Sequence, residues 1–217
     1  EWLKAMKEKA VETNAEWAAR LGINQSTAIT CVKPEGTVSQ LTNSASGLHP
    51  RYADYYIRRV RGDSKDPLSD FLKAQGVPWE DDVMQPGQVV FSFPIASPEG
   101  SITRDQRGAL EQLEHWKMLQ DHWCEHKPSI TVYYKPSEFL SVGQWVWDNF
   151  DSISGVAFLP YDNGGYQQAP YEEITKDRYE ALAAAMPAIN WTEFRELTDN
   201  TIGSQTLACV GGSCEII

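Results

Sequence analysis

Two stretches of this chain carry residues of the kind that does chemistry. One is Cys209-Val210-Gly211-Gly212-Ser213-Cys214, close to Ile217. Gly211 and Gly212 remove the steric block to a tight reversal, so the two thiols can fold back and join. A reversible dithiol on a polar, small-residue segment is suited to moving electrons. Half of a zinc site and a pair of idle thiols are the alternatives. Zinc usually takes four ligands, and no second Cys or His pair is at hand. Glu215 gives no help in forming a thiolate. The other stretch runs from Cys31 to Gln40. Ala28 to Val32 is apolar and β-branched and predicts a buried strand. Pro34 breaks it, Gly36 permits an unusual backbone angle, and Thr37 and Ser39 can cap a helix. Strand, tight turn and helix N-terminus in that order aim several unpaired N–H groups at one spot, where the helix dipole also favours an anion. Phosphate is the natural ligand, although many such turns bind nothing.

The remaining reactive side chains read more plainly. Cys31 sits in the apolar run and Cys124 at a helix end, both as small core residues. His49 and His126 are single histidines in loops, expected at the surface or in hydrogen bonds. Arg58, Arg59 and Arg61 can reach a phosphate, but ion pairs with the abundant carboxylates are the simpler expectation.

The elements that must position these groups alternate. Helices are expected over residues 1–21 with Gly22 as C-cap, 66–75 closed by Gly76, 103–125 with a Thr103/Gln106 capping box, 138–150 capped by Ser137, and 175–186. A weaker helix is expected near 191–197. Strands are expected at 27–32, 54–61, 89–93 ended by Pro94, 129–134 and 153–159 ended by Pro160. Residues 42–51 form a loop beside the turn, and 78–87 an acidic connection. Five strands alternating with helices imply an α/β fold with a mostly parallel sheet, with ligands at the strands' carboxyl ends.

Bulk properties bound the function. A chain of 217 residues with 41% hydrophobic residues can build a real core. A net charge of −11 argues against gripping a nucleic-acid polymer, though not against one nucleotide. No apolar run approaches membrane-span length and no signal peptide is visible, which predicts a cytoplasmic protein. Four cysteines do not make a disulfide framework, and a reducing compartment fits. The chain starts at Glu1, already inside a helical pattern, and looks cut from something longer.

Several stretches occur together in one order: Ile29-Thr30-Cys31-Val32-Lys33-Pro34-Glu35-Gly36-Thr37-Val38-Ser39; Tyr55-Tyr56-Ile57-Arg58-Arg59-Val60; Ser129-Ile130-Thr131-Val132; Ser154-Gly155-Val156-Ala157-Phe158-Leu159-Pro160-Tyr161 with Ala169-Pro170-Tyr171; and the terminal cysteine pair. The set resembles the C-terminal portion of the adenosylcobalamin-dependent (class II) ribonucleotide reductases, of the monomeric ribonucleoside-triphosphate reductase type. The resemblance implies the second, five-stranded parallel half of a ten-stranded α/β barrel over residues 1–197, and a mobile redox tail over 198–217. It implies that Pro34, Glu35, Gly36, Thr37, Val38 and Ser39 hold the phosphates of a ribonucleotide substrate. Many members have Ser at the place of Glu35, and a carboxylate beside phosphates is unfavourable, so this side chain should point away. It implies that Cys209 and Cys214 re-reduce an active-site disulfide and are themselves reduced by thioredoxin. The family's radical chemistry needs adenosylcobalamin and a thiyl cysteine with an Asn and a Glu nearby. That motif is not found here, so the chain should need a missing N-terminal segment as partner and not turn over alone. The half-barrel's exposed sheet edges would invite pairing with another chain. A non-catalytic α/β nucleotide- or protein-binding module with a redox-sensitive tail is the rival reading.

Overall fold

A computed structural model describes residues 1–161 and 167–196; Cys209 and Cys214 lie outside the described residues. In chain order the helices are α1 (Trp2–Leu21), α2 (Val38–Leu41), α3 (Pro67–Ala74), α4 (Ala109–His122), α5 (Phe139–Asp148) and α6 (Lys176–Ala185). The strands are β1 (Tyr55–Asp63), β2 (Trp79–Asp81), β3 (Gln88–Ala96), β4 (Ser129–Tyr134), β5 (Gly155–Pro160) and β6 (Tyr171–Glu173). Two units result. One comprises Glu1–Arg51 and Ile102–Tyr161, and the other begins at Tyr52–Ser101 and resumes after residue 161. No helix among the described residues is long and apolar enough to cross a membrane.

In the first unit, β4 and β5 pair in parallel, from Ser129 opposite Gly155 to Tyr134 opposite Pro160. Ile130 and Val132 of β4 are buried with Leu113 and Trp116 of α4 and Val142 and Trp145 of α5, a core that also takes in Leu48. Burial of such side chains contributes about 1.5–3 kcal/mol each. The edge of β4 away from β5 is closed by three unlike groups. Val32 O accepts from Ser129 N–H (3.4 Å), His49 Nε2 accepts from Thr131 N–H (2.8 Å), and the Gln112 side-chain amide meets both Tyr133 N–H (3.4 Å) and Tyr133 O (3.3 Å). So the outward N–H groups of this edge, expected to be open, are satisfied without a neighbouring strand.

The strand expected at 27–32 is not formed. Residues 28–33 run beside the α4–β4 connection without a ladder. Thr30 O accepts from Glu125 N–H and His126 N–H, and the Glu125 carboxylate accepts from Ile29 N–H at 2.9 Å. Only Thr30 of this run is fully buried, and Cys31 is exposed rather than a core residue. Cys124 is buried as expected, and burial pushes its thiol up. The helix expected from Thr103 begins at Ala109. There, Gly108 N–H donates to Glu111 Oε2 (3.0 Å) and Ala109 N–H to Glu138 Oε1 (2.9 Å), whereas the Thr103 N–H to Gln106 contact is long at 3.4 Å. Ser137 does not cap α5, which continues from a 3₁₀ turn over Pro136–Glu138.

The second unit departs from the parallel expectation. Its sheet has the order β2-β3-β1-β6 with every pairing antiparallel. Among the described residues, parallel pairing is confined to β4 and β5 and one isolated bridge between Arg51 and Thr103. β3 runs through Pro94 to Ala96, opposite Ile57 and Tyr55. The connection at 78–87 contains β2, and a further short strand, β6, precedes α6. Leu72, Val77, Val89 and Phe91 form this unit's core.

Candidate functional site

The Pro34–Ser39 turn is built from the inside of the first unit outward. Val32 packs on the core before the turn, and Leu48 is buried in it afterwards. Between them, residues 42–51 fold against the turn. Ser46 meets Glu35 twice: its Oγ accepts from Glu35 N–H (2.7 Å) and donates to Glu35 O (2.8 Å). Ser39 Oγ also donates to Glu35 O, at 3.3 Å. Ser39 O in turn accepts from Ser44 N–H at 2.8 Å. Arg51 is 5% exposed, and its guanidinium donates to Ser44 O (2.6 Å) and Asn43 Oδ1 (2.8 Å). Gly47 has φ +58°, and a Cβ there would stand 2.9 Å from Lys33 O. Only glycine allows the loop to lie this close to the turn.

What the turn leaves unclaimed is the point of interest. Among the described residues, the backbone N–H groups of Thr37, Val38 and Ser39 donate to no protein acceptor. They stand at the start of α2, whose N-cap Thr37 makes no side-chain cap bond. Pro34, Glu35, Gly36, Thr37 and Val38 are exposed, while Ser39 is buried with its hydroxyl turned to Glu35 O. Gly36 does not use the unusual backbone angle it permits: its φ is not positive, and a Cβ there would enter open space. Thr37 and Ser39 are therefore not side-chain caps: one hydroxyl makes no cap bond and the other braces the turn. Unpaired amides at an exposed helix start suit an anion. Lys33, just before the turn, donates from Nζ to Ser129 Oγ at 3.0 Å.

His49 ties this assembly to the sheet. Its Nδ1 lies 2.8 Å from Ser46 O and its Nε2 2.8 Å from Thr131 N. A carbonyl can only accept and an amide can only donate, so Nδ1 carries the proton and Nε2 is the acceptor. Burial lowers this imidazole from the ordinary value of 6.5, with the Ser46 carbonyl acting the other way. His126 is exposed.

Of the β1 arginines, Arg59 and Arg61 form the expected ion pairs and Arg58 meets a tyrosine hydroxyl instead. Arg58 Nη1 donates to Tyr171 OH, Arg59 pairs with Glu172, and Arg61 Nε meets Asp82 Oδ2 at 2.6 Å. Gln168, at φ +57°, accepts from Val83 N–H and donates to Asp81 O, fixing the loop that Arg61 reaches. Burial works against the Asp82 carboxylate, but Met84 N–H, Arg61 and Gln85 N–H together hold its pKa below the ordinary 3.8. Arg59 first, then Arg178, holds Glu172 below 4.5 against burial.

The bracing residues Ser46, Gly47, His49 and Arg51 are absent from the sequence-based site. Their signal was the Ser-Gly-Leu-His-Pro-Arg string itself, which marks a loop but not what the loop holds.

No family model matches the chain. The adenosylcobalamin-dependent ribonucleoside-triphosphate reductase of Lactobacillus acidophilus is 29% identical over 223 residues, covering 100% of this chain and 30% of that protein. Its namesake in Lactobacillus delbrueckii subsp. bulgaricus is 31% identical over 214 residues, covering 95% and 29%. A crystal structure of a B12-dependent (class II) ribonucleotide reductase superposes with a TM-score of 0.75 at 29% identity, over 93% of this chain and 29% of that one. The chain is a homologue of the class II ribonucleotide reductases. It spans less than a third of the length of the reductases it matches.

These reductases are named for adenosylcobalamin. Two open surface grooves among the described residues, one along α1 at Met6, Ala10, Thr13 and Trp17 and another at Leu110, Leu140, Gln144 and Asp148, do not have the form of a corrin cavity. No cluster of three or more metal-ligating side chains occurs among the described residues.

Proposed function

We propose that this chain is the C-terminal segment of a cytoplasmic adenosylcobalamin-dependent ribonucleoside-triphosphate reductase, the enzyme class that makes deoxyribonucleotides. Residues 1–197 belong to its catalytic barrel and 198–217 form its redox tail. The turn at Pro34, Glu35, Gly36, Thr37, Val38 and Ser39 receives the substrate's phosphates. The observation that carries this is the set of unclaimed amides at Thr37, Val38 and Ser39, on a turn braced by Ser46. The phosphate oxygens accept from these amides, which orients the ribose toward chemistry housed on the N-terminal segment. Residues 28–33 run in the same direction as β4 and β5, which supports the parallel half-barrel as the fold completed in the whole enzyme.

Cys209 and Cys214 give two electrons and two protons to an active-site disulfide on the rest of the enzyme. They leave as a disulfide, which thioredoxin's dithiol reduces in turn. The chain is to be mixed with the N-terminal segment of the Lactobacillus delbrueckii relative and assayed for deoxynucleotide formation with adenosylcobalamin and thioredoxin. Activity from the mixture and none from either part is expected; a folded, inactive mixture overturns the reading. In the active assembly, Cys209→Ser or Cys214→Ser should stop thioredoxin-driven turnover and spare turnover with a small dithiol. Equal loss with both reductants removes the shuttle role.

A further inference from the structure

We propose that His49 is a positioning residue for the Pro34–Ser39 turn, acting only in its neutral form. Three observations meet there. The ring spans two groups that require opposite roles of it, with Nδ1–H donating to Ser46 O and Nε2 accepting from Thr131 N–H. Ser46 is the residue whose hydroxyl holds the Glu35 peptide from both sides. Thr131 lies in the middle of β4, between the buried Ile130 and Val132. The chain of contacts therefore runs from a fixed strand, through the imidazole and Ser46, to the peptide that opens the turn.

Protonation breaks this chain at one atom. A proton on Nε2 replaces the acceptor that Thr131 N–H needs with a second donor, and the two N–H groups then face each other. Among the described residues, no carboxylate contributes to the titration of this ring. The turn, its loop, β4 and the helix α4 packed on it carry Lys33, Glu35, Arg51, Tyr133, Tyr134, Glu111, Glu114, His115, Lys117, Asp121 and His122. None of them perturbs His49, which responds to burial and to the Ser46 carbonyl alone. Lys33 is engaged with Ser129 and Arg51 with Ser44 and Asn43. Burial favours the neutral ring, so the pin is complete above the ordinary histidine range and is lost as pH falls through the lowered value. The link onward to phosphate rests on the function proposed above.

The test follows backbone and ring nitrogens of the isotopically labelled 217-residue chain by NMR between pH 8 and pH 5. At pH 8 the His49 ring should show the Nδ1–H tautomer. On acidification the Thr131 and Glu35 amides should move with the same midpoint as His49, and His49→Gln should abolish that shared transition. The opposite tautomer, or amides that ignore the His49 midpoint, overturns the proposal; wild type alone decides this if the variant does not fold. Tripolyphosphate affinity is then measured at pH 8 and pH 5.5. His49→Gln supplies the baseline that cancels the ligand's own protonation. Relative to it, the wild type should lose about tenfold on acidification, the size expected for losing a pair of neutral hydrogen bonds. If the amides follow His49 but tripolyphosphate never moves the turn's resonances, the phosphate reading fails and the positioning role stands. If tripolyphosphate binds the turn with no pH dependence beyond the baseline, the phosphate reading stands and the positioning role fails.

Discussion

The Pro34–Ser39 turn and the arginine-bearing strand β1 treat polar groups in opposite ways. β1 carries three cationic side chains, the more conspicuous invitation to a phosphate. Arg58 is bonded to Tyr171, Arg59 to Glu172 and Arg61 to Asp82. The turn offers no cationic side chain of its own, yet it keeps three backbone donors unspent. Under the proposed function, side-chain charge is a poor guide to where an anion goes in this molecule. An arginine already matched to a carboxylate has little left for a ligand, while an amide at a helix start has nothing else to bond.

Substitutions can pull the two regions apart, and the largest effect is expected in the β1 network. Asp82→Ala removes a fully buried carboxylate and strands Arg61 with the Met84 and Gln85 amides. The expected loss is about 3 kcal/mol in urea unfolding, held below the maximum for a buried pair by the partial exposure of Arg61. Tripolyphosphate affinity should not change; a fall would tie the network to the site. Gly47→Ala comes next. A Cβ at φ +58° and 2.9 Å from Lys33 O should cost about 2 kcal/mol and weaken tripolyphosphate binding with it. Gly36→Val inverts that pattern. Its side chain enters open space, so unfolding should shift by less than about 0.5 kcal/mol while affinity drops. Unchanged affinity would move the anion site off this turn.

Acid should also separate the regions. Asp82 and Glu172 have lowered pKa values, so the stability they contribute is full above the ordinary carboxylate range near 3.8–4.5 and is lost as pH falls below it. His49 also has a lowered value, so its contribution begins to fade already below 6.5. Hydrogen exchange at Thr131 should therefore accelerate at a higher pH than exchange along β1. Simultaneous acceleration would erase the distinction.

The parts legible in the sequence are those decided within one turn of chain. Gly22 ends α1 at φ 67°, Asp66 caps α3 through Leu68 N–H, and Thr175 caps α6 through Arg178 N–H, all local events. The run at 28–32 has the composition of a strand, but a ladder needs a partner, and here the neighbours are a carboxylate and a connecting turn. Helices between strands suggested parallel pairing. Instead β2 and β6, at three residues each, are too short to leave a periodic trace and belong to an antiparallel sheet. The turn announced itself through Pro34, Gly36 and Ser39. Its brace did not, because Ser46 meets Glu35 across eleven residues and His49 meets Thr131 across eighty-two.

The stopper row along β4 has a directional consequence. A strand whose outer donors already end on a carbonyl, an imidazole and an amide side chain has no amide left to offer another β-segment. Growth of this two-stranded ribbon is left to the flank of β5. There Pro160 withholds a donor, and any added segment must draw its bonds from Val156 and Phe158.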